Sequence, residues 1–255
     1  MIYIKSEKEM EAMVEGGKKL AAVMEELLNK VAPGISTGEL DKLAEEMILS
    51  FGGRPAFKGY GKESGQPFPA TICASLNDEV VHGIPAFNCF LREGDIFKID
   101  IGMEYRGMFT DMARTVAVGR IGVKEKKIIE VVKNSFYQGI KVLKDGVNLS
   151  AYSRAVQNYV EKQGFAVVRD LVGHGVGRQL HEEPQIPNYY GPHYRDYRLK
   201  TGMTLALEPM INACQAEVIL GSDGWVWKTK DGCLSAHWEN TVAITKDGVK
   251  ILTVL

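Results

Sequence analysis

The feature that most constrains this chain is an internal echo. Gly94 stands six residues before Asp100, and Gly202 stands six before Glu208. Asp111 precedes Thr115-Val116-Ala117-Val118, while Glu239 precedes Thr241-Val242-Ala243-Ile244, and His82-Gly83 is answered by His174-Gly175. Each half also runs through two helical patterns before its strands. Ser6 to Glu9 (SEKE) fits a capping box, followed by Met10, Met13, Val14, Leu20, Val23, Met24 and Leu27 at helical spacing until Pro33-Gly34. A second helix is predicted from about Thr37 to Leu49, closed by Gly52-Gly53. After a β-rich stretch over 54–118, KEKKIIEVVKNSFYQGIKVLKDG and SAYSRAVQNYVEKQG repeat the helical pattern, and FAVVRDLVGHGVG, GMTLALEPMINA and CLSAHWENTVAIT read as strands and turns. Two copies make a duplication and not a solenoid, which needs three or more units. Helices written before strands in each half predict an α+β fold with an antiparallel sheet covered on one face.

Within this frame, GDIFKIDIGMEYRGMFTDMARTVAV reads as two strands joined by a turn. A two-residue tip at Tyr105-Arg106 sets Asp100 directly across from Asp111, where like charges repel. A single acid in a strand usually points to solvent. Here, however, four lie in largely apolar strand-like stretches: Asp100 in FKIDIG, Asp111 in FTDMA, Glu208 in LALEPM and Glu239 in AHWENT. Arg114 can serve one of them, not all. Buried carboxylates need protons, cationic partners or a metal, and a divalent cation turns facing carboxylates into a ligand pair. If the duplication brings both strand pairs together, the four acids surround one centre and His174, in GHGVG, adds a nitrogen. Five such donors without sulfur suit Mn²⁺, Fe²⁺, Co²⁺ or Zn²⁺, and carboxylates that bridge favour two metals about 3.5–4 Å apart.

Composition narrows the function. With 31 basic and 32 acidic residues the net charge is -1, which supplies no general electrostatic case for nucleic acid or an anionic membrane. The charged start MIYIKSEKEMEAMVEGG is neither a secretory signal nor a transit peptide, and no segment approaches the ~18 apolar residues of a membrane span. The expectation is a soluble, cytoplasmic protein. Cys73, Cys89, Cys214 and Cys233 lie far apart, which excludes zinc-ribbon spacing, gives no reason to expect disulfides, and predicts buried thiols. GHGVGR is no dinucleotide loop, because Arg178 stands at the third glycine position. His193, in YYGPHYRDYR, reads as a surface residue.

Taken together, PATICASLNDEVVHGIP, GDIFKIDIG with FTDMARTVAVG, GHGVGRQLHEEPQIPNY, GMTLALEPM and DGWVWKTKDGCLSAHWENTVAIT make the chain resemble type I methionine aminopeptidases over essentially its full length. The resemblance implies the pita-bread fold as a single catalytic domain over 1–255, with pseudo-repeat halves of about 1–120 and 121–255. It implies a dimetal hydrolase that removes the N-terminal methionine from nascent polypeptides at the ribosome, prefers a small second residue, and works as a cytoplasmic monomer. Asp100, Asp111, His174, Glu208 and Glu239 become the metal ligands, and Glu208 also relays protons. His82 and His181 fall where the family places its non-ligand catalytic histidines. Tyr60, Phe68, Cys73, Leu180 and Trp225, with His82 and His181, become the substrate contacts. An auxiliary monovalent cation is implied near Asn77 and Ser235.

The chain departs from the pattern in places. His237 and Asn240 stand where Gln and His are expected beside Glu239, Phe57 stands where many relatives carry Cys, and the loop GYGKESGQPFPATIC is longer than expected. Two rival readings are a prolidase-like dipeptidase, which usually carries an additional N-terminal domain, and a pita-bread binding module without catalysis, which typically loses ligands.

Overall fold

The chain was analysed as a computed structural model that describes residues 2–255. Helix α1 (Glu7–Lys30) opens on the predicted box: the Glu9 amide donates to the Ser6 hydroxyl at 3.4 Å, and the Ser6 amide donates to the Glu9 carboxylate at 2.8 Å. Helix α2 (Thr37–Ser50) starts on a second box, Ser36 with Glu39. Its end is satisfied by the Gly52 and Gly53 amides, which donate to Leu49 and Ile48. Next come β1 (Arg54–Pro55), β2 (Ile72–Leu76), β3 (Glu79–Val81), β4 (Ile96–Tyr105) and β5 (Met108–Ala117). Strands β1, β2 and β5 all pair with β4. The apolar stripes of α1 and α2 close over this sheet, joining Leu20, Met24, Leu27, Leu40 and Ile48 to Ile72, Phe97, Ile99 and Ile101 in one core.

The second half repeats the plan. Helices α3 (Val123–Ile140) and α4 (Ser150–Lys162) pack on each other and precede β6 (Ala166–Val167), β7 (Gly173–Gly175), β8 (Glu182–Ile186), β9 (Thr204–Leu207) and β10 (Met210–Asn212). The chain ends with β11 (Val218–Leu220), β12 (Trp227–Thr229), β13 (Ser235–His237), β14 (Asn240–Ile244) and β15 (Val249–Ile251). The largest sheet runs β15-β14-β9-β7-β8. Phe136, Tyr152 and Val156 from the helices join Leu205, Leu207 and Val242 in a separate core.

Two expectations are corrected by the observed register. The β4–β5 tip is Arg106-Gly107, not Tyr105-Arg106, because both tip residues take positive φ, 52° and 79°, as a type I′ hairpin turn requires. Asp100 therefore faces Ala113, and Asp111 faces Gly102. The shift is an even number of residues, so Asp100 and Asp111 stay on one face as diagonal neighbours. In the second half, β9 pairs with β14 and β10 with β13 in one continuous register, which sets Glu208 across from Glu239.

The halves meet along β5 and the segment of Glu239. The Ala113 amide donates to the Glu239 carbonyl at 3.3 Å, and the Glu239 amide donates to the Ala113 carbonyl at 3.0 Å. Around this centre the Thr241 hydroxyl bonds the backbone of Asp111, and the Thr115 hydroxyl bonds the backbone of His237. The pseudo-two-fold thus relates Thr115 to Thr241, Ala113 to Glu239, and Asp111 to His237. The sequence echo had matched Asp111 with Glu239; the drift in spacing arises because the true counterpart of Asp111 is His237.

The cysteine expectation also fails. Cys214 and Cys233 form a disulfide, brought within 6.1 Å Cα to Cα because the β11–β12 hairpin folds back on itself. Cys73 is buried, whereas Cys89 is half-buried.

Candidate functional site

A cleft of about 640 Å³ opens between the halves, and Asp100, Asp111, His174, Glu208 and Glu239 all line it. Strands β4 and β5 deliver the aspartates. Glu208 follows β9, Glu239 precedes β14, and His174 lies on β7, whose neighbour β9 sets it opposite Ala206. The His174 Nδ1 lies 2.9 Å from the Gly175 carbonyl, which can only accept, so Nδ1 carries the proton and Nε2 keeps its lone pair. That Nε2 lies 3.4 Å from Glu208 Oε1. Donor atoms of Asp111, His174 and Glu239 lie within 4.8 Å of one another, and so do those of Glu208, His237 and Glu239.

Burial drives the electrostatics. All four carboxyls are pushed up, first by desolvation and then, for Asp111, Glu208 and Glu239, by one another's charge. Burial lowers His174 to about 3 and His82 to about 4, so both imidazoles are neutral near pH 7. Asp100 Oδ1, Asp111 Oδ1 and Glu239 Oε1 are buried without a hydrogen-bond partner. Arg114 does not relieve them: its guanidinium donates to the Ala113 and Glu239 carbonyls and to Asn240 Oδ1. Orphaned carboxyl oxygens beside a neutral imidazole lone pair fit a divalent cation, since ionising them without one is severely penalised.

Beside the carboxylates is an apolar pocket. Phe68, Cys73 and Leu180 form its buried wall with Phe57 and Ala70, and Trp225 packs on it with its ring edge-to-face to Phe68 at 5.2 Å. Burial, and after it the Asp100 charge, hold the Cys73 thiol well above its ordinary pKa, so it is a soft neutral surface and not a nucleophile. His82, at φ 61°, stands edge-on to Trp225. His181 lies at the exposed mouth, its Nδ1 2.6 Å from the Tyr60 hydroxyl and its ring 4.3 Å from that of His174. The long loop before Cys73 is pinched at its neck, where the Gly59 amide donates to Phe68 and the Phe68 amide to Tyr60, both at 2.8 Å. His193 is exposed, as expected.

Sequence reasoning missed three features. Phe57 belongs to the pocket wall, because Gly102 leaves room for it: a Cβ there would come within 2.7 Å of Phe57 Cε1. Lys98 is fully buried, and its ammonium donates to the Asn77 and Ser235 carbonyls at 2.9 and 3.0 Å. The expected monovalent cation near these residues is thereby corrected: a lysine whose pKa burial lowers to about 7 already fills that place. Its signal was a lone Lys between apolar strand neighbours. The third is the register of His237: the sequence marks it as a departure beside Glu239, but no local motif reveals that it faces Met210.

The chain matches the model for metallopeptidase family M24 over residues 11–246. It is 47% identical to methionine aminopeptidase 1 of Bacillus subtilis (strain 168), covering 99% of both chains. It superposes on the crystal structure of methionine aminopeptidase from Thermotoga maritima with a TM-score of 0.95 at 40% identity, covering 100% of both chains. The prolidase from Pyrococcus furiosus shares the fold, with a TM-score of 0.76 at 21% identity, over 99% of this chain and 65% of that one.

Proposed function

The chain belongs to metallopeptidase family M24, among its methionine aminopeptidases of the pita-bread fold, and on that footing we propose that it clips the initiator methionine from newly made polypeptides with two divalent cations. The observation that carries this reading is a pair of donor triplets sharing Glu239, next to a pocket walled by Phe68, Cys73, Leu180 and Trp225. Asp100, Asp111, His174, Glu208 and Glu239 would hold the cations. When bound, such a pair supplies Lewis acidity and lowers the pKa of water toward neutrality.

The chain's own groups do the rest. Glu208 takes a proton from the attacking water and passes it to the leaving amine, a task suited to a carboxyl that burial holds well above its ordinary pKa. His82 and His181, both with lowered pKa, are neutral N–H donors for the oxyanion or the neighbouring peptide group. The sulfur of methionine meets the Cys73 thiol and aromatic edges, the aromatic contacts worth about 0.3–1.5 kcal/mol each, so exclusion by pocket size provides much of the selectivity. We further propose that residues 1–255 act as one catalytic unit, a cytoplasmic monomer serving nascent chains at the ribosome and preferring a small second residue. No helix among the described residues is long and apolar enough to cross a membrane.

The test is anaerobic purification with elemental analysis, then a Met-X-Ser peptide panel beside Ala-Pro. Release of methionine from Met-Ala-Ser, falling as X grows, with Ala-Pro untouched, supports the reading. Hydrolysis of Ala-Pro instead, or of neither, overturns it.

A further inference from the structure

We propose that His237 is an additional nitrogen donor of the metal centre, so that the cation held by Glu208 and Glu239 binds an imidazole from β13 as well as the carboxylates. This rests on the dimetal reading above and goes beyond its five donors.

Three independent observations carry it. The first is position: the pseudo-two-fold that joins Thr115 to Thr241 makes His237 the counterpart of Asp111, held by a threonine hydroxyl in the same manner. His237 faces Met210 as Asp111 faces Gly102, and so stands diagonal to Glu208 as Asp111 stands diagonal to Asp100. The second is distance. His237 Nε2 lies 3.8 Å from Glu208 Oε2 and 3.8 Å from Glu239 Oε2, too far for hydrogen bonds but close enough for all three donors to reach one cation at about 2.0–2.2 Å. The third is an unmet need. His237 is 1% exposed, and neither ring nitrogen has a partner. A buried imidazole left without partners on both sides is costly, and a cation at Nε2 relieves one of them.

The consequence is a centre with two imidazoles, His174 and His237, where the family pattern offers an amide beside Glu239. An added nitrogen donor favours cations later in the divalent series, such as Co²⁺ and Zn²⁺, over Mn²⁺.

The test uses the full chain loaded with Co²⁺ and read by proton NMR, in which each imidazole bound to Co²⁺ adds a strongly shifted exchangeable N–H signal. Wild type is expected to show two such signals. His237→Gln should lose one of them, and His174→Gln the other. Competition with a chelator should show Co²⁺ held at least about tenfold more weakly by His237→Gln, with Mn²⁺ affinity changed less. A single signal in wild type that survives His237→Gln, with unchanged Co²⁺ affinity, overturns this inference and leaves the dimetal reading standing. Failure of wild type to bind Co²⁺ at all overturns both. The wild-type count is independent of whether any variant folds.

Discussion

The hydroxyl of Thr241 accepts a hydrogen bond from the Asp111 amide at 2.8 Å and donates one to the Asp111 carbonyl at 2.9 Å. One side chain of the second half thereby satisfies both backbone groups of a candidate ligand in the first. Thr241→Val keeps the shape but strands a buried donor and acceptor, each costing about 1–3 kcal/mol. Urea denaturation should show a loss of that order, and Thr241→Ser should restore most of it.

Metal affinity should rise with pH. In the metal-free fold burial raises the candidate carboxyls, Asp100 to about 7 and Asp111, Glu208 and Glu239 well above their ordinary values. The folded state then holds protons that the unfolded chain has released above about pH 4, so these groups subtract stability as pH climbs through that interval. A cation displaces those protons. Titration with Mn²⁺ between about pH 6 and 8 should show affinity increasing by up to about tenfold per pH unit for each proton displaced. The stability gained on metal loading should widen in step.

Removal of His82, proposed to act on the substrate and not on the metal, should separate binding from rate. His82→Ala should retain the metal content of wild type while kcat on Met-Ala-Ser falls by about 10²–10³, the usual loss for one oxyanion donor. Loss of metal in this variant would place His82 among the ligands.

Gly102 faces Asp111 and lies against Phe57 and Ala56, so it controls how near the pocket wall comes to the candidate metal donors. Gly102→Ala drives a methyl into the Phe57 ring, which overpacking makes worth about 1–3 kcal/mol of stability. Displaced toward the cleft, the ring should raise KM for methionyl peptides more than it lowers kcat.

The parts of the fold that were legible in the sequence are those governed by local chemistry. Ser6 with Glu9 announced α1, and the helix-before-strand order in both halves announced an α+β fold with antiparallel sheet covered by helices. The candidate donors were legible because carboxylates in apolar strands are costly and therefore conspicuous. Register was not. Whether Tyr105-Arg106 or Arg106-Gly107 forms the tip depends on which residues accept positive φ, a choice the alternation of side chains leaves open by steps of two. That shift concealed the equivalence of Asp111 and His237. The Lys98 contact with Ser235 and the Phe57 wall depend on chain segments far apart in sequence, and the Cys214–Cys233 pairing depends on the β11–β12 hairpin closing between them, which the cysteine spacing alone does not encode.

Anomalous diffraction from crystals of the Mn²⁺-loaded protein tests the central claim most directly. The account predicts two peaks about 3.5–4 Å apart, enclosed by Asp100, Asp111, His174, Glu208 and Glu239 with Glu239 touching both. No peak in the cleft at saturating Mn²⁺, or peaks on another surface with these carboxylates unbound, would contradict it.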